Sequence, residues 1–310
     1  MSVFSIVFPL IFIVLLGYGA AKTQFLEQIH IAGLSKFTFY ISVPAFLFLN
    51  MAQADLAHSF NSATLWAFYV PVISIFLLGA VLDRYLFKKQ HHRASSHAVY
   101  ALGCSYSNTV LVGLPIIIAA MGNAMIGSVF MIITFHSALL FALTFLLSAK
   151  GQEQAFSWRQ FAKTMLLNPV VMSITSGLII NILGITLFND LAIGIELLAQ
   201  PAIACALFVL GSNLAFYRIG EDWQQALLAS VIKIVLLPAF VFAFGHFVIA
   251  LPQDQLTIVV LLSAAPLGVN AYLVANQIGQ HQATLASTVV LSTLLCVISF
   301  SVWLSILLPN

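Results

Sequence analysis

Charge is what this chain has least of. Asp, Glu, Lys and Arg make up only 6% of its 310 residues, against about 25% in a soluble globular domain. So few charges cannot cover a water-facing surface, which excludes a soluble enzyme or a soluble binding module. The formal charge of +2 supplies no basic field for nucleic acid. Cysteine is scarce as well: Cys104, Cys205 and Cys296 stand far apart with no CxxC spacing. That pattern offers neither a disulfide framework nor a zinc site, and fits small apolar packers. No GxxxxGK[ST] loop is present, which excludes a nucleotide-driven pump, and the eight histidines show no HExxH spacing. The sequence therefore predicts no enzyme, no metal and no cofactor.

What the chain has instead is hydrophobic length. Apolar residues reach 62%. Ten runs are long enough to cross a hydrocarbon core of about 30 Å at about 1.5 Å per residue. They cover 3–21, 37–54, 64–87, 97–122, 124–148, 168–188, 191–216, 225–249, 254–279 and 282–308. The first run lacks a preceding basic residue and a small-residue cleavage pattern, so it is expected to be a retained span.

The basic residues sort by connection. Lys22 and Lys36 follow span one; Arg84, Lys88, Lys89 and Arg93 follow span three; Lys150, Arg159 and Lys163 follow span five; Arg218 follows span seven. The even-numbered connections carry none. By the positive-inside rule the odd connections are cytoplasmic and both termini lie outside. The remaining base, Lys233, falls within span eight. It can snorkel to the interface, or act as a counter-charge to substrate or to a buried carboxylate.

A polar stretch at 149–167 divides the chain into 1–148 and 168–310, five spans each. An odd number per half makes the second half enter the membrane in the opposite sense, the condition for an inverted repeat. Phe156, Trp158, Arg159, Phe161 and Lys163 fit a short interfacial helix within that linker.

Two spans are interrupted at their centres. Span four reads Ser107-Asn108-Thr109-Val110-Leu111-Val112-Gly113-Leu114-Pro115, and span nine reads Ala265-Pro266-Leu267-Gly268-Val269-Asn270-Ala271-Tyr272. Proline removes a helical hydrogen bond and glycine lets the backbone leave helical geometry. In lipid an opened helix survives only where protein or a cavity surrounds it. A matched pair of breaks is the sequence-level pointer to a transporter's binding site. Each second half-helix begins with free N–H groups and the positive end of its dipole, which suits an anion.

Asn108 and Asn270 supply amides that either bind substrate or cap the breaks. Ser107, Thr109, Gly113, Pro115, Pro266, Gly268 and Tyr272 complete the candidate substrate site, with Lys233 as the candidate cation. Other polar groups have plain readings: His136 as a packed histidine or a proton relay, Glu196 at the interface, Asp83 in a surface pair with Arg84, and Asn50 and Asn213 lining the space between halves or capping kinks.

At Asn108-Thr109, Gly113-Leu114-Pro115, Met121-Gly122, Ala265-Pro266-Leu267-Gly268 and Tyr40-Ile41-Ser42-Val43-Pro44-Ala45 the chain resembles the auxin efflux carrier family. That family includes bacterial organic-acid permeases. The resemblance implies an all-α membrane fold of ten helices, two inverted five-helix repeats with helices four and nine broken and crossing. It implies a scaffold of spans one, two, six and seven, through which a homodimer forms. Spans three to five and eight to ten become a moving transport core. The crossover asparagine of the family falls on Asn108, and the second crossover falls at Gly268–Asn270. The chain lacks the long central loop of the plant members and reads Tyr106-Ser107-Asn108-Thr109-Val110 in place of Asn-Pro-Asn-Thr-Tyr. A small organic acid such as malate is the expected substrate, carried across the bacterial inner membrane by elevator-like movement. A sodium-coupled carrier of the bile-acid type is the alternative.

Overall fold

A computed structural model describes residues 3–54, 61–87, 93–122, 126–149, 159, 163, 167–216, 220 and 222–308. Among these every regular element is helical: α1 Val3–Lys22, α2 Gln28–Ala52, α3 Ser62–Leu86, α4 Ala94–Ser105, α5 Thr109–Met121, α6 Ile126–Ala149, α7 Pro169–Ile182, α8 Asn189–Leu214, α9 Trp223–Val248, α10 Gln253–Ala264, α11 Val269–Ile278 and α12 Gln282–Leu307. Seven of them, α1, α2, α3, α6, α8, α9 and α12, are long and apolar enough to cross a membrane alone. The linker reading at 149–167 lies almost wholly outside the described residues, as do Lys88, Lys89, Lys150 and Arg218.

Span boundaries follow the sequence with two exceptions. Helix α2 begins at Gln28 rather than near residue 37, because its first turns are amphipathic and continue into the apolar run without a break. Helix α7 stops at Ile182, where the chain turns through Gly184 at φ +63°. Its 14 residues reach about 21 Å at 1.5 Å each, short of a full crossing.

Prolines widen the helices ahead of them. Wide π-type turns at Thr38–Ser42, Thr109–Gly113 and Ile232–Leu236 each stand just before Pro44, Pro115 and Pro238. A proline cannot donate to the carbonyl four residues back, so the turn opens to longer-range bonds. At Pro238 the orphaned carbonyl is that of Ile234, and Ser299 Oγ of α12 donates to it at 2.8 Å.

Packing is closest where glycine lets backbones meet. A Cβ on Gly17 of α1 would fall 2.1 Å from the carbonyl oxygen of Phe208 in α8. One on Gly211 of α8 would fall 1.9 Å from that of Val14 in α1. Ser212 Oγ donates across the same seam to Gly17 O at 3.0 Å. Helix α7 meets the second half of α2 similarly, with Gly177 against Phe48 O, and Asn181 Nδ2 donates to the terminal carbonyls of Met51 and Ala54. The remaining helices α3–α6 and α9–α12 pack on one another around a buried core that includes Phe68, Phe130, Leu262 and Phe300. Large apolar side chains such as Phe8, Leu15 and Phe188 lie exposed on the outside, as lipid-facing positions do.

Candidate functional site

Helix α4 ends at Ser105; Tyr106 is extended and Asn108 caps the start of α5. Helix α10 ends at Ala264; Ala265 and Gly268 are extended, and α11 begins at Val269. Both predicted breaks are therefore open backbone, and they pass each other. Ser107 and Leu267 form a one-residue antiparallel bridge, and Asn108 N donates to Pro266 O at 2.8 Å.

The freed backbone is satisfied by the surrounding helices, as burial demands. The Ser107 N–H donates to His136 Nε2 of α6 at 3.0 Å, and the Leu267 N–H to Ser292 Oγ of α12 at 3.0 Å. Because Nε2 accepts, the His136 proton resides on Nδ1 and the ring is neutral. The ring stacks on Tyr106 at 5.0 Å. His136 is thus packed against the break and accepts from it, while its Nδ1 is buried without a partner.

Lys233 departs from the snorkelling reading. It is fully buried, so it does not snorkel. Its Nζ donates to Ser263 O and Ala265 O, each at 2.6 Å. The ammonium caps the C-terminal end of α10, where the dipole favours positive charge, and it is not among the residues lining the cavity described next.

That cavity, of about 410 Å³, opens beside the crossing. Its wall includes Asn108, Thr109, Gly268 and Asn270 from the broken spans, Tyr106 and Ser137 beside them, and Phe39, Tyr40, Asn168 and Asn213 from α2, the start of α7 and α8. None of its described lining residues carries a charge. The first residues of α5 and of α11 both face it, which brings two positive helix ends to one space. The volume lies within the range of about 300–1,000 Å³ usual for small-molecule sites.

Of the two roles foreseen for Asn108, the structure shows the cap. Its Oδ1 accepts from Leu111 N at 3.2 Å, a helix cap. Its Nδ2 is buried and has no partner, and the same holds for Ser107 Oγ. An unpaired buried donor costs about 1–3 kcal/mol. Asn270 Nδ2 reaches Tyr106 Oη at 3.5 Å, the limit of a hydrogen bond, and Tyr106 Oη meets Ser137 Oγ at 2.8 Å.

The structure thus brings Asn108, Thr109, Gly268 and Asn270 to the cavity, and Ser107 directly behind it. Gly113 packs on Leu262 and Ala265, where a Cβ would meet Leu262 Cδ2 at 2.9 Å. Pro115, Pro266 and Tyr272 are likewise not lining residues of this cavity; the prolines shape the breaks. Asn213 lines the space as expected, whereas Asn50 bonds back to Phe46 O at 2.8 Å. Tyr106, Ser137, Asn168 and Ser292 were missed, since an isolated hydroxyl or amide in an apolar run gives no signal of direction. Asp83 is a correction. It is fully buried rather than paired at the surface with Arg84, and it binds His97 and His281.

Residues 2–304 match the model of the family described as "Membrane transport protein". A "Putative malonate transporter" of Rhizobium meliloti (strain 1021) is 23% identical over 301 residues, covering 94% of this chain and 92% of that protein. The chain belongs to that family, the auxin efflux carriers.

Proposed function

Taking membership of the auxin efflux carrier family as premise, we propose that this chain is a secondary carrier for a small dicarboxylate of the malonate class. The observation that carries the reading is the unpartnered Nδ2 of Asn108, a residue that lines a cavity where two helix N-termini meet. Peptide dipoles and amides there would hold a carboxylate without a buried formal charge in the wall. The relative named for malonate adds the substrate class.

The architecture is two inverted five-span repeats, in which α4 with α5, and α10 with α11, each make one broken span. The packing supports it: α1 lies on α8 as α7 lies on α2, the exchange a two-fold axis in the membrane plane requires. Helices α1, α2, α7 and α8 form the scaffold and the homodimer contact. Helices α3–α6 and α9–α12 form the core, which slides like an elevator and exposes the cavity to each side in turn. Both termini lie on the outer face of the bacterial inner membrane.

Sodium coupling is the weaker alternative. In carriers with broken helices, unwound carbonyls and half-helix C-terminal ends are the usual seat of the coupling cation. Here the Lys233 ammonium already occupies the carbonyls at the end of α10. Transport driven by membrane potential needs no such ion, since each charge is worth about 2.3 kcal/mol per 100 mV.

The test is uptake of labelled malonate by proteoliposomes under an imposed potential in sodium-free buffer. Saturable uptake that reverses with the sign of the potential supports the reading. Uptake that is absent in choline buffer and restored by sodium contradicts it in favour of the alternative.

A further inference from the structure

A second polar cluster lies at the far ends of the same half-helices. Asp83, near the end of α3, is fully buried, and each of its carboxylate oxygens meets a histidine. Oδ2 contacts His97 Nδ1 at 2.8 Å, and Oδ1 contacts His281 Nε2 at 3.0 Å. Ser96 Oγ donates to Oδ2 at 3.1 Å and lies 2.9 Å from His281 Nε2. His97 is part-exposed with 15% of its side chain accessible, whereas the His281 side chain has none. The cluster therefore runs from a wet end to a dry one.

We propose that Asp83, His97 and His281 form a proton-binding site, and that the proton is a co-substrate of the carrier. The transport half of the proposal rests on the carrier reading above; the binding half does not.

Two features separate this cluster from a structural staple. The first is a hydroxyl with two destinations. His281 Nδ1 lies 3.2 Å from Thr284 Oγ1, and Thr284 Oγ1 lies 3.5 Å from Asp222 Oδ2. A neutral His281 that donates from Nε2 to Asp83 must accept at Nδ1, so the Thr284 proton points to the ring. Adding one proton at Nδ1 turns the ring into a donor there, and the Thr284 proton swings to Asp222. The site thus has a partner for the ring in either state. Its neighbours define the remaining charge: Tyr100 of α4 lies ring to ring with His281 at 5.4 Å, Cys104 stands one turn further along α4, Asp222 precedes α9, and Arg84 beside Asp83 faces outward.

The second feature is position. Ser96 and His97 are on the first turn of α4, whose other end is Tyr106. His281 follows α11, whose first turn carries Asn270. His281 is held at φ +49°, a left-handed conformation rare for a side-chain-bearing residue, and it is this turn that aims the ring at Asp83. The two half-helices thus join the cluster to both sides of the Tyr106–Asn270 contact at the cavity wall.

Nuclear magnetic resonance of the full-length protein, labelled with 15N-histidine and free of substrate, reads the site directly. The His97 and His281 nitrogens, assigned through His97→Gln and His281→Gln, are expected to respond to pH together in the folded protein and to lose that mutual dependence in Asp83→Asn. Resonances that stay fixed at every pH at which the protein remains folded overturn the site whether or not malonate is carried. Coupling is read in proteoliposomes with an internal pH dye and the potential clamped. Malonate entry is expected to carry protons in the parent. Asp83→Asn and His281→Gln are expected to cut the proton signal at least about tenfold, equivalent to 1.4 kcal/mol, while malonate–malonate exchange continues. Malonate flux without proton movement in the parent overturns the coupling. Absence of malonate exchange in the parent overturns the malonate reading instead and leaves the proton site to the resonance titration. Variants in which exchange and proton signal fall together, with lowered unfolding temperature, assign the cluster a structural role and overturn the proposal.

Discussion

The main-chain N–H of Asn108 donates to the carbonyl of Pro266 across 2.8 Å, so two helices more than 150 residues apart in sequence are open at the same point and bonded to each other there. Each break supplies what the other lacks. Pro266 cannot donate, and its free carbonyl finds a donor in the residue that also caps α5.

Replacing Asn108 by Ala removes both the cap to Leu111 and the cavity donor. The cap contributes about 1 kcal/mol, a modest lowering of thermal stability in detergent. Malonate flux is expected to fall at least about tenfold, the equivalent of 1.4 kcal/mol. A variant that loses stability but keeps parental flux assigns Asn108 to the cap alone.

Lys233→Met is expected to be costlier for stability than for recognition. It strands the carbonyls of Ser263 and Ala265, at about 1–3 kcal/mol each when buried and unpaired. Thermal unfolding should show the loss, and added sodium should restore part of it if the ammonium stands where a cation would bind. Flux of the parent should be equal in sodium and in choline buffer.

Much of this was legible in the sequence because lipid imposes so few solutions. The apolar runs gave the helices, and the Gly/Pro/Asn stretches 107–115 and 264–272 contain the two openings, although Gly113 and Pro115 themselves are helical. The helix ends at α2 and α7 were not legible, since an apolar run continues past the point where Gly184 turns the chain. The Asp83 cluster escaped for a different reason. Its members are 14 and 198 residues apart, and an Asp next to an Arg at a span end looks like an interfacial pair. Nor could sequence show that Lys233 addresses main-chain carbonyls, which carry no residue signature.

Gly268→Ala tests the closeness of the crossing. A Cβ there would stand 2.6 Å from Tyr106 Cε1, so that ring, which lines the cavity, must shift. Overpacking of this kind costs about 1–3 kcal/mol. The expected result is a raised KM for malonate together with a lower unfolding temperature; an unchanged KM would place substrate elsewhere.

Gly211→Ala should damage the protein away from the cavity. Its Cβ would collide with Val14 O at 1.9 Å, a backbone atom that cannot rotate aside. Gly194→Ala, in the first half of the same helix, meets nothing within 4 Å and should stabilise by about 0.5–1 kcal/mol through lost chain entropy. Unfolding temperatures of the two variants, measured side by side, are expected to move in opposite directions.

Equilibrium binding of malonate to the purified protein, parent against Asn108→Asp, addresses the anion site most directly. Aspartate keeps the acceptor that caps Leu111 but replaces the free amide donor by negative charge. Saturable binding in the parent, weakened at least about a hundredfold (about 2.8 kcal/mol) in Asn108→Asp at a temperature at which both proteins are folded, is the expected result. Equal affinity in the two proteins would contradict an anion seat at the crossing.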